Sequence, residues 1–222
     1  MEAPRYVIFD LDDTLVHSDA VREAFARVAA THGIGEATLT TILDAFPGRP
    51  AREVFEALGF DAEAALAATE HFLATLDEHN AQTLPEPYPD AHTTIKALQD
   101  TGATLVLSTG SSPERAERVL DRHGWRDGFS VVLGSDLDCP KGAAHYDRMK
   151  RAHRVGDQWT DRAATVGDSP HDMRLGAEHG VPIRIGVDRR RNPAALKAAG
   201  ATHVVRALAD IVPILATAGA LK

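Results

Sequence analysis

Cysteine is nearly missing from this chain. Cys139 stands alone among 222 residues, so no intrachain disulfide framework exists and the chain suits a reducing compartment. Positive charge is in deficit, with 24 Lys and Arg against 32 Asp and Glu. The resulting net charge of -8 argues against a nucleic-acid backbone as partner and fits a solvated surface. No apolar run is long enough to span a bilayer. The opening residues Met1-Glu2-Ala3-Pro4-Arg5 form no signal-peptide h-region before the first apolar run. Internal repeats and low-complexity tracts are lacking too. These absences set the expectation of a cytoplasmic protein with no membrane and no nucleic-acid partner; oligomeric state is left open.

What is present is a series of short apolar runs, each followed by chemistry. Tyr6-Val7-Ile8-Phe9 leads into Asp10-Leu11-Asp12-Asp13-Thr14. Thr104 to Leu107 leads into Ser108-Thr109-Gly110, and Ser130 to Leu133 precedes Lys141. Ala163 to Val166 leads into Gly167-Asp168-Ser169-Pro170-His171-Asp172, and Pro182 to Ile185 and His203 to Val205 complete the series. Helical patterns lie between most of them: Ala91, Ile95 and Leu98 up to Gly102, Ala116, Val119 and Leu120 up to Gly124, and a third from Ser169-Pro170 to Gly180. Apolar strands alternating with helices predict an α/β fold, a doubly wound parallel sheet covered on both faces. Ligands of such sheets bind at the carboxyl ends of the strands.

Residues 17–86 break the alternation. Apolar residues at helical spacing (Val21, Ala24, Phe25 and Val28; Leu39, Ile42 and Leu43; Ala51, Val54, Phe55 and Leu58; Leu66, Phe72, Leu73 and Leu76) predict four helices and no strand. The stretch closes on Leu84-Pro85-Glu86-Pro87-Tyr88-Pro89, which reads as a linker. The expected organisation is a core of residues 1–16 and 87–222 with an all-helical subdomain at 17–86. Its insertion directly after the first strand is where a lid over a site would be hinged.

Carboxylates at the end of a buried strand are costly unless they bind a cation or do chemistry. Asp10 and Asp12 are two residues apart, and side chains at i and i+2 of a strand point the same way. Two such anions repel unless a cation intervenes, which suits one carboxylate as nucleophile and metal ligand and the other as acid/base. Asp13 and Thr14 read as turn or capping residues. The Ser108–Pro113 turn offers hydroxyls and backbone N–H groups to an anion at a helix start. Asp168 is a hard oxygen ligand suited to magnesium, and Asp172 lies one turn further, able to ligate or to hold Lys141. The basic run Asp188-Arg189-Arg190-Arg191-Asn192-Pro193 reads as a solvated loop.

In this order, the motifs Asp10-Leu11-Asp12-Asp13-Thr14-Leu15, Ser108-Thr109-Gly110, Lys141 and Gly167-Asp168-Ser169-Pro170-His171-Asp172 resemble those of the haloacid dehalogenase-like hydrolases, over nearly the whole chain. The subgroup it resembles is that of phosphoglycolate phosphatase, with a helical cap between the first two motifs. The resemblance implies a Rossmann-like core and a magnesium-dependent phosphatase acting on a small phosphorylated metabolite. It implies that Asp10 attacks phosphorus and that Asp12 protonates the leaving alcohol and then activates water. Thr109 and the Gly110 N–H would hold the phosphoryl oxygens and Lys141 would neutralise charge. Asp10, the Asp12 carbonyl and Asp168 would bind Mg2+, with Asp172 beside it. Two positions depart from the pattern: Gly110 stands where relatives often carry Asn, and Gly-Ala-Ala rather than Pro-x-Pro follows Lys141. Arg49, in Gly48-Arg49-Pro50-Ala51-Arg52 between two cap helices, is a candidate contact for a substrate anion.

Three other readings compete. A haloacid dehalogenase uses the same nucleophile but typically lacks the second Asp. A phosphomutase passes the phosphoryl group to a sugar instead of water. A receiver-like phosphoacceptor domain uses similar groups without turnover, in about half the length and without a helical insertion.

Overall fold

Tyr6–Phe9 is buried along its whole length. A strand covered on both faces belongs in the middle of a sheet. The computed structural model describes residues 6–17, 19–45, 49–82, 84–136, 138–189 and 192–217 and puts the strand there. Met1 to Arg5, Gly48, Arg190 and Arg191, used in the sequence reading, lie outside the described residues. The chain runs β1 (Tyr6–Phe9), α1 (Asp19–Thr31), α2 (Glu36–Ala45), α3 (Ala51–Ala57), α4 (Ala62–Gln82) and α5 (Ala91–Asp100). It continues β2 (Thr104–Ser108), α6 (Pro113–Arg122), β3 (Phe129–Leu133), α7 (Ala143–His153), β4 (Ala163–Gly167) and α8 (Pro170–Glu178). It ends β5 (Ile183–Val187), α9 (Pro193–Ala198), β6 (His203–Val205) and α10 (Ile211–Thr217).

The strands form one parallel sheet in the order β3-β2-β1-β4-β5-β6. The chain steps outward from β1 to β3, then returns to β4 on the other side of β1. That reversal is the switch point of a doubly wound sheet, where a crevice opens at the carboxyl ends. Register makes the crevice functional. Phe9 lies opposite Leu107 on one side and Val166 on the other. The next residues, Asp10, Ser108 and Gly167, therefore emerge at one level, and the Asp10 N–H still donates to Val166 O at 2.9 Å. On one face of the sheet, Tyr6, Ile8 and Val106 pack with Tyr146, Met149, Trp159 and Leu175.

The chain divides into two compact units, Met1–His17 with Glu86–Lys222, and Ser18–Pro85. The second unit has its own core. Phe55 is fully buried and lies 5.5 Å from Phe25 and 6.4 Å from Phe72 between ring centroids, with Val28, Leu39, Val54 and Leu76 around them. One expectation is corrected here. Leu66 and Leu73 were expected on the inner face of the fourth helix, but both are exposed. Phe72 and Leu76 are buried as expected, and Ala65 and Ala68 take the place of the two leucines. The 3–4-residue spacing of these four is the true inner stripe, and its small alanines permit close helix packing.

Where the chain leaves and rejoins the sheet unit, its two crossings pair. The His17 N–H donates to Glu86 O at 2.9 Å, Tyr88 N–H donates to Leu15 O at 3.0 Å, and Val16 bridges Pro87. The His17 and Tyr88 rings lie 4.0 Å apart, and the Arg189 guanidinium sits 3.5 Å over the Tyr88 ring. No described helix is long and apolar enough to cross a membrane.

Candidate active site

Asp10 leaves β1 into the crevice with little solvent, at 8 % exposure. Its Oδ1 accepts from Lys141 Nζ at 2.7 Å and its Oδ2 from the Thr14 hydroxyl at 3.3 Å. Lys141 also donates to Asp172 Oδ1 at 2.6 Å, so one ammonium bridges two acids contributed by opposite halves of the sheet. Asp172 sits in the first turn of α8, where it completes a capping box. The Ser169 hydroxyl donates to Asp172 Oδ2 at 2.6 Å, and Asp172 N–H donates back to Ser169 Oγ. The cap both starts the helix and fixes the carboxylate. Gly167 is required just before it, because a Cβ there would run into the Asp172 carboxyl.

Asp10, Asp168 and Asp172 are all buried, and each offers a carboxylate oxygen within 4.8 Å of the other two. Lys141 bridges two of these acids, Asp10 and Asp172, and burial and charge set the two apart. Burial pushes Asp10 up to about 7, outweighing the Lys141 charge that pulls it down, while the charges of Asp172 and Asp12 push it further up. Burial also acts to raise Asp172, but the Lys141 charge and the hydrogen bonds from Lys141 and Ser169 prevail and hold it below the usual carboxylate range. Burial acts to lower Lys141, and its two acid partners prevail and hold it up as a cation. A cluster of three buried carboxylates fits a hard cation. Beneath it, a cavity of about 10 Å3 touches Asp10, Ser108, Lys141, Tyr146, Thr165 and Asp172. That is room for about one water.

The turn after β2 builds the adjoining wall. Thr109 is fully buried, its N–H donates to Leu133 O at 2.9 Å and its Oγ1 accepts from Ser111 N–H at 3.1 Å. Gly110 lies at the exposed crest of the turn, with open space where a side chain would be. Ser112 caps α6, accepting from Arg115 N–H, with Pro113 at the first turn. The Lys141 loop is sewn to this turn by Ser135. Its hydroxyl donates to Thr109 O at 2.9 Å and accepts from Lys141 N–H at 2.9 Å, and its own N–H donates to Ser111 O at 2.7 Å. Sequence reasoning missed Ser135, because a lone Ser after a strand carries no signal.

Asp12 does not share the cation of Asp10. The turn through Asp13, which takes the left-handed conformation at φ 55°, ends the strand alternation that would have kept the two acids parallel. Asp12 is bound instead by Arg115, with Nη2 donating to Oδ1 at 2.7 Å and Nη1 to Oδ2 at 2.9 Å. The Ser111 hydroxyl donates to the same Oδ2 at 2.5 Å. Arg115 was missed as well, though a signal existed. It lies four residues before Val119 and next to Ala116, on the apolar face of an amphipathic helix where a charge needs a reason. Arg49 is not part of this cluster; it belongs to the helical unit and pairs with Glu53 four residues on.

Comparison with known proteins agrees with this architecture. The family model described as haloacid dehalogenase-like hydrolase matches residues 7–185. Pyrophosphatase PpaX of Halalkalibacterium halodurans is 25 % identical over 213 residues, spanning 94 % of this chain and 95 % of that protein. Phosphoglycolate phosphatase of Rhodospirillum rubrum is 29 % identical over 192 residues, spanning 81 % and 78 %. Among solved structures, a predicted phosphatase from Clostridium acetobutylicum has the same fold, with a TM-score of 0.81 at 23 % identity, covering 97 % of this chain and all of that one.

Proposed function

Given that the chain belongs to the haloacid dehalogenase-like hydrolases, we propose that it is a magnesium-dependent phosphomonoesterase acting on a small phosphorylated metabolite through an aspartyl-phosphate. The observation that carries this reading is the division of the acids. Asp10, Asp168 and Asp172 cluster together, with Lys141 bridging Asp10 and Asp172, while Asp12 stands apart on Arg115. Asp10 is the nucleophile. Its carboxylate attacks phosphorus and the bond to the leaving oxygen breaks. Asp12 gives that oxygen a proton, then takes one from the water that hydrolyses the aspartyl-phosphate. Thr109 and the Gly110 N–H hold phosphoryl oxygens at the α6 end, and Lys141 balances the charge of Asp10 and of the phosphoryl group.

Asp10, Asp168, Asp172 and the Asp12 carbonyl are the groups that would hold Mg2+. When bound, the ion neutralises the carboxylates and screens negative charge on phosphorus. The presence of Asp12 argues against the dehalogenase reading, and the helical insertion against a receiver domain. Residues 18–85 act as the cap that selects substrate, with Arg49 a contact for a substrate anion. The reaction takes place in the cytoplasm.

The names of the relatives differ in the group that departs from phosphorus, so a screen over phosphoglycolate, pyrophosphate, phosphorylated sugars and nucleotides identifies the substrate. The class is tested on p-nitrophenyl phosphate. Hydrolysis is expected to need Mg2+, to stop with EDTA, and to be lost in Asp10→Asn by about a thousandfold or more, as for removal of a covalent nucleophile. Full activity in that variant, or in EDTA, rules the mechanism out.

A further inference from the structure

We propose that Arg115 is a positioning residue that holds Asp12 for the second half of the reaction, hydrolysis of the aspartyl-phosphate. The proposal rests on the role given to Asp12 above. Arg115 is 1 % exposed, the largest fully buried side chain described. The Asp12 side chain keeps 19 % of its surface. A surface carboxylate has water and needs no such partner, and burying a guanidinium is expensive unless it is well paired. The side chain's described hydrogen bonds go only to Asp12 and Ser111, and its buried Nε has no partner. An arginine serving only packing or a helix end would be expected to satisfy Nε and to contact backbone carbonyls. This one is committed to a single carboxylate.

The geometry shows what the commitment achieves. The guanidinium meets both oxygens of Asp12 as a fork, which fixes the plane and rotamer of the carboxylate. Oδ2 takes two donors, Nη1 and the Ser111 hydroxyl, while Oδ1 takes one, Nη2. Nη1 also donates to Ser111 Oγ at 2.5 Å, closing a triangle of three groups. Oδ1 therefore retains a lone pair, on a carboxylate that cannot swing away. That is the arrangement a base needs to receive a proton from water. In the step itself, the water oxygen bonds to phosphorus and the Asp10–phosphorus bond breaks, its electron pair returning to the Asp10 carboxylate. The water proton passes to Asp12 Oδ1. Inorganic phosphate leaves, and the proton on Asp12 serves the next leaving group.

The test uses p-nitrophenyl phosphate with Mg2+, because nitrophenolate departs without a proton from Asp12. On this substrate kcat/KM reports only steps up to the aspartyl-phosphate, whereas kcat includes its hydrolysis. Arg115→Met is expected to lower kcat by about tenfold or more, a fraction of what a general base contributes. Its kcat/KM should stay within about threefold, so that KM falls with kcat. Rapid mixing should then show a burst of nitrophenolate. Arg115→Lys, which keeps the charge and loses the fork, should shift the same quantities in the same direction by less. Parallel loss of kcat and kcat/KM without a burst would mean a structural role and would overturn the proposal, as would an unchanged kcat. If Arg115→Met does not fold, Arg115→Lys decides by the same readouts. A wild-type protein without Mg2+-dependent activity would overturn the function itself, a failure distinguishable from one that appears only in variants of an active enzyme.

Discussion

Asp10 is an acid under stress, and the stress has a sign that can be measured. Its folded-state value near 7 lies above an unfolded value of about 3.9, so the folded state binds the extra proton between them. Its contribution to stability is present below pH ~4 and is lost as pH rises toward 7. Asp172 works the other way: held low, its contribution is present above pH ~4 and is lost on acidification. A cation binds the deprotonated form of Asp10, so Mg2+ should raise the melting temperature more at pH 8 than at pH 5.5. Melting curves with and without MgCl2 at both values test this, and equal shifts would contradict it. At this scale the sequence was readable where a strand ended. Asp10, Lys141, Asp168 and Asp172 each follow an apolar run, and parallel register carries the strand ends to one level. Ser135 was not readable, its partner Thr109 lying 26 residues away; Arg115 was readable as a charge on an apolar helix face, but its partner Asp12, 103 residues away, was not.

Among the elements, the close approach of β3 to α6 governs the wall of the site. Gly134 follows β3 directly, and a Cβ there would overlap the backbone of Ser112 and Pro113 at the start of α6. Backbone cannot rotate out of the way as a side chain can. Gly134→Ala should therefore cost about 1–3 kcal/mol, in the range of overpacking a tight contact. It should also raise KM for any phosphate ester, because Thr109 and Gly110 move with that turn. Denaturant unfolding together with steady-state kinetics checks both, and a variant of unchanged stability and KM would show that the turn gives freely. Strand positions were legible to within about two residues of their ends, because buried parallel strands are short, apolar and punctuated. Helix faces were less so. The inner face of α4 uses Ala65 and Ala68 where leucines looked the better candidates. Hydrophobicity alone cannot tell a small residue chosen for close packing from one tolerated at the surface.

Over the whole molecule, two separate cores imply two separate stabilities. Phe55→Ala empties the centre of the helical unit and should cost about 3–5 kcal/mol there. Hydrogen exchange should speed up across α1 to α4 while amides of β1, β2 and β4 keep their protection. Uniform loss of protection would mean that both units melt as one. The insertion was legible from its break in the strand–helix alternation, while the substrate was not, since selectivity depends on shape that no local pattern encodes. The paired crossings of residues 15–17 and 86–88 carry a consequence of a different kind. To the sheet, everything beyond them is one closed hairpin, whose added length costs little closure entropy. A different cassette spliced between His17 and Glu86 would leave the crossings, and the first strand they follow, where they are.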